Sequence, residues 1–288
     1  MTDSFNDVNN AYSKLLDKSH QTNKYKDGAD NTTKQDVGPM KSMIFFFVIS
    51  ILYLILNIYN IISSNSIESV VENSNNNIFI LAYVFILIIG MFFINLGISK
   101  NLCDNNSTNY NNVFFQTFLP WLIIFGIIYF ILEIYSGWAR PFSNTIGYFI
   151  VGFLGLEKVL KEMLNKDHDS SVKTAIEKIE NNISEFINEF DVKHTYYVEF
   201  IKKLQAENIT KSSTFDTNGI SPNEIELFKL INIKHLIGKV VWYFLAGTVI
   251  AAISYNNIIN QSCDTSIRET QAQLQAIQEA EEDEELPQ

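Results

Sequence analysis

Four stretches of this sequence contain no Asp, Glu, Lys or Arg: residues 43–62, 78–98, 113–132 and 141–156. Uncharged apolar runs of about 18 or more residues are typical of membrane-spanning helices rather than of core helices in soluble domains. The first three runs meet that length, and residues 236–259 form a further, nearly uncharged run. The pattern excludes an ordinary soluble enzyme and predicts an all-α, polytopic membrane protein.

The charges that remain are unevenly distributed over the 288 residues. Of the formal net charge of −11, residues 264–285 contribute −7, because they hold eight acids against Arg268. Lysines are interspersed with acids elsewhere, so no nucleic-acid partner is predicted. Two isolated cysteines, Cys103 and Cys263, form neither a disulfide framework nor a metal site. The first apolar run starts too late and is too long for a cleavable leader, which makes residues 43–62 an uncleaved first span.

The number of membrane crossings depends on residues 141–156. Sixteen helical residues cover about 24 Å, less than a roughly 30 Å hydrocarbon core, so this segment is a short span, a re-entrant hairpin or an interfacial helix. If it crosses, the six lysines before residue 43 and the eleven lysines of residues 157–235 share the cytosolic side, as the positive-inside rule favours. The sequence therefore predicts about five transmembrane helices, with the C-terminus opposite the N-terminus. The predicted spans are 43–62, 78–98, 113–135, 141–156 and 236–259.

Three polar regions surround these spans. Residues 1–42 are too poor in apolar side chains to offset ordering entropy, and they are predicted to form a disordered arm. Residues 157–235 are predicted to form a cytosolic helical domain, and residues 260–288 an acidic tail. Near the end of the domain, Ser221-Pro222-Asn223-Glu224 is a capping box with proline at the first helical position. The helix that it starts is predicted to run directly into the last span.

The helical domain contains an apolar seam with alternating spacings of four and three residues, which is typical of an amphipathic helix. The seam is either the packing face of this domain or an interaction face for a partner. Its residues are Val172, Ile176, Ile179, Ile183, Phe186 and Phe190.

Two charged residues lie at the membrane edge, Glu133 near the outer end of the third span and Lys239 one turn into the last span from the cytosolic side. Both are predicted to reach an interface, where Arg140 can pair with Glu133 or with a phosphate. Residues 166–169 are predicted to be a polar turn, because no further metal ligand stands at a suitable spacing. No catalytic motif is present, and no catalytic residue, cofactor or metal is predicted.

Sites for N-linked glycosylation occur in several regions. In the five-span arrangement only Asn260 lies outside the cytosol, close to the bilayer, so little glycosylation is predicted. The matching residues are Asn31, Asn105, Asn106, Asn182, Asn208 and Asn260.

The segment Trp138–Tyr148, with sequence WARPFSNTIGY, combines interface aromatics, one cation, a helix-breaking proline and capping residues. It is predicted to form a tight extramembrane hairpin in which Ser143, Asn144 and Thr145 cap a restarting helix. The residues that define this motif are Trp138, Arg140, Pro141, Ser143, Asn144 and Tyr148.

This motif, with the grouped spans, helical insert and polar tail, resembles multispanning membrane proteins of nucleocytoplasmic large DNA viruses. The resemblance implies a viral membrane protein of a virion internal membrane or envelope. The helical insert and the absence of catalytic motifs favour the lipid bilayer and other viral membrane or capsid proteins as partners. Those partners would bind through residues 157–235 or the tails. The expected function is structural and non-enzymatic.

The alternative is a channel or transporter-like protein. Polar side chains within the spans would then line a path, although they are more typical of span ends. These residues are Asn57, Asn60, Asn95 and Gln116.

Overall fold

The computed structural model describes residues 38–74, 76–103, 108–165, 170–211, 220–260 and 275. Within this part of the chain there is no β-strand, only an isolated antiparallel bridge between Leu164 and Thr210. The all-α prediction is confirmed for these residues. The predicted turn at 166–169 and nearly all of the predicted arm and acidic tail lie outside the described residues.

The helices, in chain order, are α1 (Gly38–Ile62), α2 (Ile67–Ser74), α3 (Asn77–Cys103), α4 (Tyr110–Pro120), α5 (Gly126–Ile134), α6 (Arg140–Phe142), α7 (Tyr148–Phe153), α8 (Leu156–Met163), α9 (Ser170–Asn181), α10 (Ile183–Asn188), α11 (His194–Ala206) and α12 (Pro222–Ile259). A π-helical turn, Trp121–Phe125, joins α4 to α5, and a second, Ser143–Gly147, joins α6 to α7. A 3₁₀ turn, Ser136–Ala139, precedes α6.

Four helical segments are long and apolar enough to cross a membrane: Met40–Ile62, Ile67–Leu102, Tyr110–Ile134 and Pro222–Ile259. They coincide with four of the five predicted spans. Proline normally disrupts a helix because it lacks an N–H donor and its ring meets the preceding turn. Pro120 instead ends α4, and the wider π-helical turn that follows lets the third segment continue to Ile134.

The structure gives the predicted fourth span, residues 141–156, a short helix. Its helix covers residues 140–153 and ends before Gly155, whose φ of +95° is a left-handed conformation that favours glycine. At 1.5 Å per residue this helix is about 21 Å long, short of a roughly 30 Å hydrocarbon core. It is not among the four segments that are long enough to cross.

The direction of this short helix also differs from the prediction. Three contacts show the direction of the chain relative to α12. The ring of Tyr243 lies 5.0 Å from that of Phe125. Nearer the N-terminus of α12, Gly238 lies against Ser143 and Lys234 lies against Gly147. The chain from Phe125 to Gly147 therefore continues in one direction along α12. It does not turn back alongside the helix bundle, as a fourth crossing would require.

The apolar half of α12 packs in the middle of the long helices. Gly247 lies against the ring of Phe46 in α1, whose edge also meets Phe244 at 6.0 Å between centroids. The second and third long segments are joined by a buried hydrogen bond in which Asn95 Nδ2 of α3 donates to Thr117 Oγ1 of α4 at 2.8 Å. Such bonds satisfy polar groups that would otherwise face hydrocarbon.

The first half of α12 is enclosed by the helical domain. Phe228 is fully buried, and its ring lies 4.5 Å from that of Tyr197 in α11. The predicted capping box is confirmed, since Ser221 N donates to Glu224 Oε2 at 2.6 Å and Glu224 N donates to Ser221 Oγ at 3.3 Å. Gln205 Nε2 donates to the other oxygen of the Glu224 carboxylate, 3.0 Å away, so this buried acid is hydrogen-bonded on both sides.

Tyr197 fixes α11 to the start of α12. Its hydroxyl donates to the backbone oxygen of Glu224. Burial, reinforced by the charge of Glu224, raises the pKa of Tyr197 well above its ordinary value. The hydroxyl therefore stays protonated and remains a donor throughout the physiological pH range.

The apolar seam of the domain is used internally. The helix breaks at Asn182 into α9 and α10, and the seam residues on both sides of the break pack into the core. Ile176 and Phe190 are buried, and the ring of Phe190 lies 4.7 Å from that of Phe200 in α11. Ile176 and Phe190 therefore serve the domain core, while Val172, Ile179, Ile183 and Phe186 are half-buried, and the use of the seam as an interaction face stays a prediction.

Two further boundaries differ from the predictions. Helix α1 begins at Gly38, so the last residues of the predicted arm are helical. The loop predicted between the first two spans contains α2, which buries Ile67 and Val70. Glu68 on α2 lies 3.7 Å from His194 Nε2, which connects this loop to the helical domain.

Candidate functional site

The candidate site is built around an ion pair between α5 and α12. Lys239 Nζ donates to Glu133 Oε1 at 2.6 Å. The lysine side chain is 15% exposed and the glutamate 41%, so the ammonium group is the more enclosed partner. A carboxylate at this distance compensates a lysine that has been largely removed from water.

This contact corrects two predictions about the charges. Glu133 and Lys239 were expected near opposite faces of the membrane, but a separation of 2.6 Å puts them at the same level of the bundle. Arg140 was also a candidate partner of Glu133. In the structure the Glu133 carboxylate pairs with Lys239 instead, because α12 passes directly beside the last turn of α5.

The end of the third segment holds Glu133 in place. Helix α5 ends at Ile134, and Tyr135 leaves the helical conformation with φ −116° and ψ 78°. The following turn is fastened to α12 because Trp242 Nε1 donates to the Trp138 oxygen at 2.7 Å. These constraints keep Glu133 within reach of Lys239.

Two cavities adjoin the pair, and together we call them the polar chamber. The first, about 290 Å³, lies on the domain side and is also lined by His194, Asn232 and His235. The second, about 170 Å³, extends into the bundle and is also lined by Asn57, Tyr53, Tyr129 and Tyr243. Glu133 and Lys239 line both cavities.

The chamber can accept a small polar molecule by hydrogen bonding, while its two charges neutralise each other. It does not assemble a metal centre, since no group of three or more His, Cys, Asp or Glu side chains among the described residues is placed to hold a metal ion. Its chemistry is that of a polar junction between the helix bundle and the helical domain.

The predicted motif at residues 138–148 flanks this junction. Trp138 is 49% exposed, and its ring lies 5.9 Å from that of Trp242. Ser143 is buried against Gly238, while Tyr148 is half-buried against the core. Pro141 is in the first turn of α6, where its missing N–H is tolerated.

The capping role predicted for Ser143, Asn144 and Thr145 is corrected. The helix has already begun at Arg140 and continues through these residues as a π-helical turn, with no side-chain cap at its start. Thr145 Oγ1 instead donates backwards to the Pro141 oxygen at 2.7 Å. The expected hairpin is therefore a short 3₁₀ turn followed by a continuous helix.

The polar residues considered for a transmembrane path do not line one common cavity. Asn57 lies in the chamber and donates to the Tyr53 oxygen of its own helix at 2.8 Å. Asn95 is buried against Thr117, and Gln116 lies in a separate groove near Asn257. The backbone oxygen of Asn60 accepts hydrogen bonds from the side chains of Ser63, Ser64 and Asn73.

Neither the two histidines near the junction, His194 and His235, nor the buried Lys234 was predicted from the sequence. His235 and Lys239 are four residues apart, and Ile231 precedes them by the same interval, so all three lie on one face of α12. That spacing is the signal that could have grouped them. His194 carried no such signal, because it reaches the chamber from another helix.

Comparison with known proteins adds no relative to this picture. No protein-family model matches the sequence, and no curated protein or solved structure matches it. The function is therefore inferred from the chain's own geometry.

Proposed function

We propose that this chain is a non-enzymatic structural membrane protein that holds a helical domain in a fixed orientation to the bilayer. One observation carries the proposal: α12 is a single helix whose first half lies within the helical domain and whose second half lies within the apolar bundle. A domain attached in this way cannot rotate independently of the membrane segment without breaking the helix or its packing.

The dimensions of α12 support this role. Its residues, Pro222–Ile259, extend about 57 Å at 1.5 Å per residue. A roughly 30 Å hydrocarbon core accounts for only about half of that length. The remainder, which begins at the Ser221 cap, belongs to the domain core and acts as a rigid support.

The proposed setting is a viral internal membrane or envelope, in which the protein is an assembly component. This setting rests on the resemblance of the Trp138–Tyr148 segment to multispanning proteins of large DNA viruses. Other membrane or capsid proteins would bind solvent-facing side chains of residues 157–235, or the tails. The buried seam residues Ile176 and Phe190 pack in the domain core, so exposed side chains are the more accessible contacts.

The proposed topology has four crossings, with both termini on one face and residues 135–235 on the other. The Glu133–Lys239 contact and the continued direction of α6 and α7 support this count. Short connections carry the positive-inside signal, and long domains contribute little. Lys41 and Lys100 adjoin the terminal face, whereas the loop 63–76 has Glu68 and Glu72 and no basic residue. We therefore place the termini in the cytosol.

Quantitative proteomics on purified particles, before and after mild detergent stripping, tests the proposed setting. An abundant protein that is lost with the membrane layer is the expected result. Absence from particles, with retention in the membranes of the producing cell, would contradict an assembly role.

The polar chamber favours one second candidate, a channel or transporter-like protein. Its cavities contain an ion pair and reach Tyr53 and Tyr243 inside the bundle. Flux of ions and small solutes into liposomes that contain the purified chain distinguishes the two functions. We expect no flux above that of protein-free liposomes; flux that is lost in Lys239→Met would favour the second candidate.

A further inference from the structure

A small pocket beside the chamber contains a buried lysine without an acidic partner. Lys234, in α12, is 5% exposed, and its Nζ donates to Asn188 Oδ1 at 2.6 Å. Among the described residues, no carboxylate lies within the 4.0 Å ion-pair distance of this group. Buried charges are generally paired, because an isolated one has lost its hydration without compensation.

A second cation lines the same pocket. Arg140, at the start of α6, faces it together with Lys234, and the two positive charges repel each other. Within the described part of the chain Arg140 forms no ion pair, because Glu133 is bound to Lys239. Asp191 is the acid that lines the pocket, and its carboxylate accepts from the Lys193 backbone N at 2.9 Å. The pocket therefore keeps an excess of positive charge.

Neutral hydrogen-bonding residues form another part of the lining, beside His235 and the apolar Phe190, Val192 and Ile231. The hydroxyl groups of Ser136 and Ser143 and the side-chain amide of Asn144 border the pocket with the two cations. A guanidinium group presents paired N–H donors that match two oxygens of one phosphate, while an ammonium group acts as a point charge. The combination is typical of phosphate recognition.

The size and position of the pocket further restrict the kinds of ligand that it can bind. Its volume of about 30 Å³ admits only part of an anionic group, such as one or two of its oxygens, and leaves the rest of the molecule outside. Arg140 follows the exposed Trp138 by two residues, and both stand next to the end of the third apolar segment. Tryptophan in such a place marks the headgroup level of a bilayer.

We propose that Arg140 and Lys234 form a binding site for a phosphate group, with Ser143 and Asn144 as neutral donors. Two sources supply this chemistry at the membrane surface, the headgroup of an anionic phospholipid and free phosphate. The site is separate from the Glu133–Lys239 pair and does not depend on the proposed structural function.

The test uses the full chain, purified in a neutral detergent and in phosphate-free buffer. Binding is titrated with phosphatidic acid in mixed micelles and, in a second arm, with inorganic phosphate, and thermal unfolding is the readout. We expect saturable stabilisation, and an apparent Kd that rises about tenfold or more in Arg140→Gln. Lys158→Gln, which removes an equally positive but 80% exposed side chain in α8, is the matched control and should bind like the unaltered chain.

Arg140 is solvent-exposed, so Arg140→Gln is expected to fold even where Lys234→Met does not. Saturation by phosphatidic acid alone would identify a lipid headgroup site, and saturation by inorganic phosphate alone a site for free phosphate. Absence of saturable binding in both arms would overturn the proposal. An equal loss of binding in Arg140→Gln and Lys158→Gln would overturn it as well, since it would reveal attraction to net charge only.

Discussion

At the scale of single residues, the Glu133–Lys239 pair links α5 to α12 where the bundle meets the helical domain. Glu133→Gln leaves an enclosed ammonium group without its counter-charge, so we expect a loss of about 1–3 kcal/mol in the free energy of unfolding. Glu133→Gln with Lys239→Met removes both charges and should recover part of that loss. Thermal unfolding in detergent measures the coupling between the two sites.

The control for this pair is another Glu–Lys contact of similar length. Lys161 lies 2.5 Å from Glu157 on α8, where both side chains are exposed to solvent. Glu157→Gln should leave the unfolding temperature unchanged, because exposed pairs contribute little. If Glu133→Gln behaves like Glu157→Gln, the Glu133–Lys239 pair has no structural role.

The sequence identified both members of this pair but did not pair them with each other. An uncharged run reveals which charges lie near a membrane edge, and Glu133 and Lys239 stand out for that reason. It does not reveal whether two such charges lie at the same face of the membrane, because that depends on how many times the intervening chain crosses. The buried Lys234 was missed for a related reason, since it looks like an ordinary basic residue before the last span.

At the scale of helices, two glycines allow the helix at residues 140–153 to approach α12 closely. A Cβ atom on Gly238 would lie 2.6 Å from the Ala139 oxygen, and one on Gly147 would meet the carbonyl oxygen of Lys234. Because both obstacles are backbone atoms, the helices would have to separate. Gly147→Ala and Gly238→Ala should each lower the free energy of unfolding by about 1–3 kcal/mol, measured by denaturation in detergent.

Two other helical glycines serve as controls for that prediction. A Cβ atom on Gly126 or Gly152 would meet nothing within 4 Å. Gly126→Ala and Gly152→Ala should therefore raise stability by about 0.5–1 kcal/mol, the ordinary preference of a helix for alanine. The same loss of stability in all four variants would contradict the close approach at Gly147 and Gly238.

The apolar seam of the domain gives a second prediction at this scale. Phe190 is 7% exposed and contacts the rings of Phe186, Tyr197 and Phe200. Phe190→Ala should cost about 3–5 kcal/mol and make the domain sensitive to protease. Tyr196→Ala, at a 59% exposed position on α11, should do neither. A stable Phe190→Ala variant that lost only its binding to other proteins would favour the seam as an interaction face.

Local signals predicted individual helices well. The Ser221–Glu224 cap and the absence of a later stop signal correctly indicated that one helix runs from the domain into the last span. Residues 141–156 were assigned to the membrane because they are apolar and uncharged. In the structure, Ser143, Gly147 and Val151 pack inward beside the first half of α12, while Ile146, Phe149 and Phe153 are exposed. A packing partner cannot be read from a single segment.

At the scale of the whole molecule, the predicted topology depends on how the eleven lysines of residues 157–235 are counted. Lysines in a long folded domain contribute little to membrane orientation. The short connections, which contribute most, favour cytosolic termini. The correct distinction between short and long connections requires the number of crossings, which the sequence left to the ambiguous segment 141–156.

Glycosylation tests the proposed orientation. When the full chain is translated with endoplasmic reticulum membranes, Asn182, which is exposed between α9 and α10, should receive a glycan on the lumenal side. Asn182→Gln should abolish the corresponding mass shift, while Asn260→Gln should not change it. Modification of Asn260 without modification of Asn182 would reverse the orientation of the last segment.

The number of crossings is tested most directly by the two native cysteines. Cys103 follows the second long segment and Cys263 follows the last, so four crossings put both on the same face. Cys103→Ser and Cys263→Ser each leave a single thiol for a membrane-impermeant maleimide added to sealed vesicles of one orientation. Four crossings predict that the two variants behave alike, both labelled at once or both labelled only after permeabilisation. Labelling of one variant with protection of the other would show that an odd number of segments separates the cysteines, and would contradict the four-crossing arrangement.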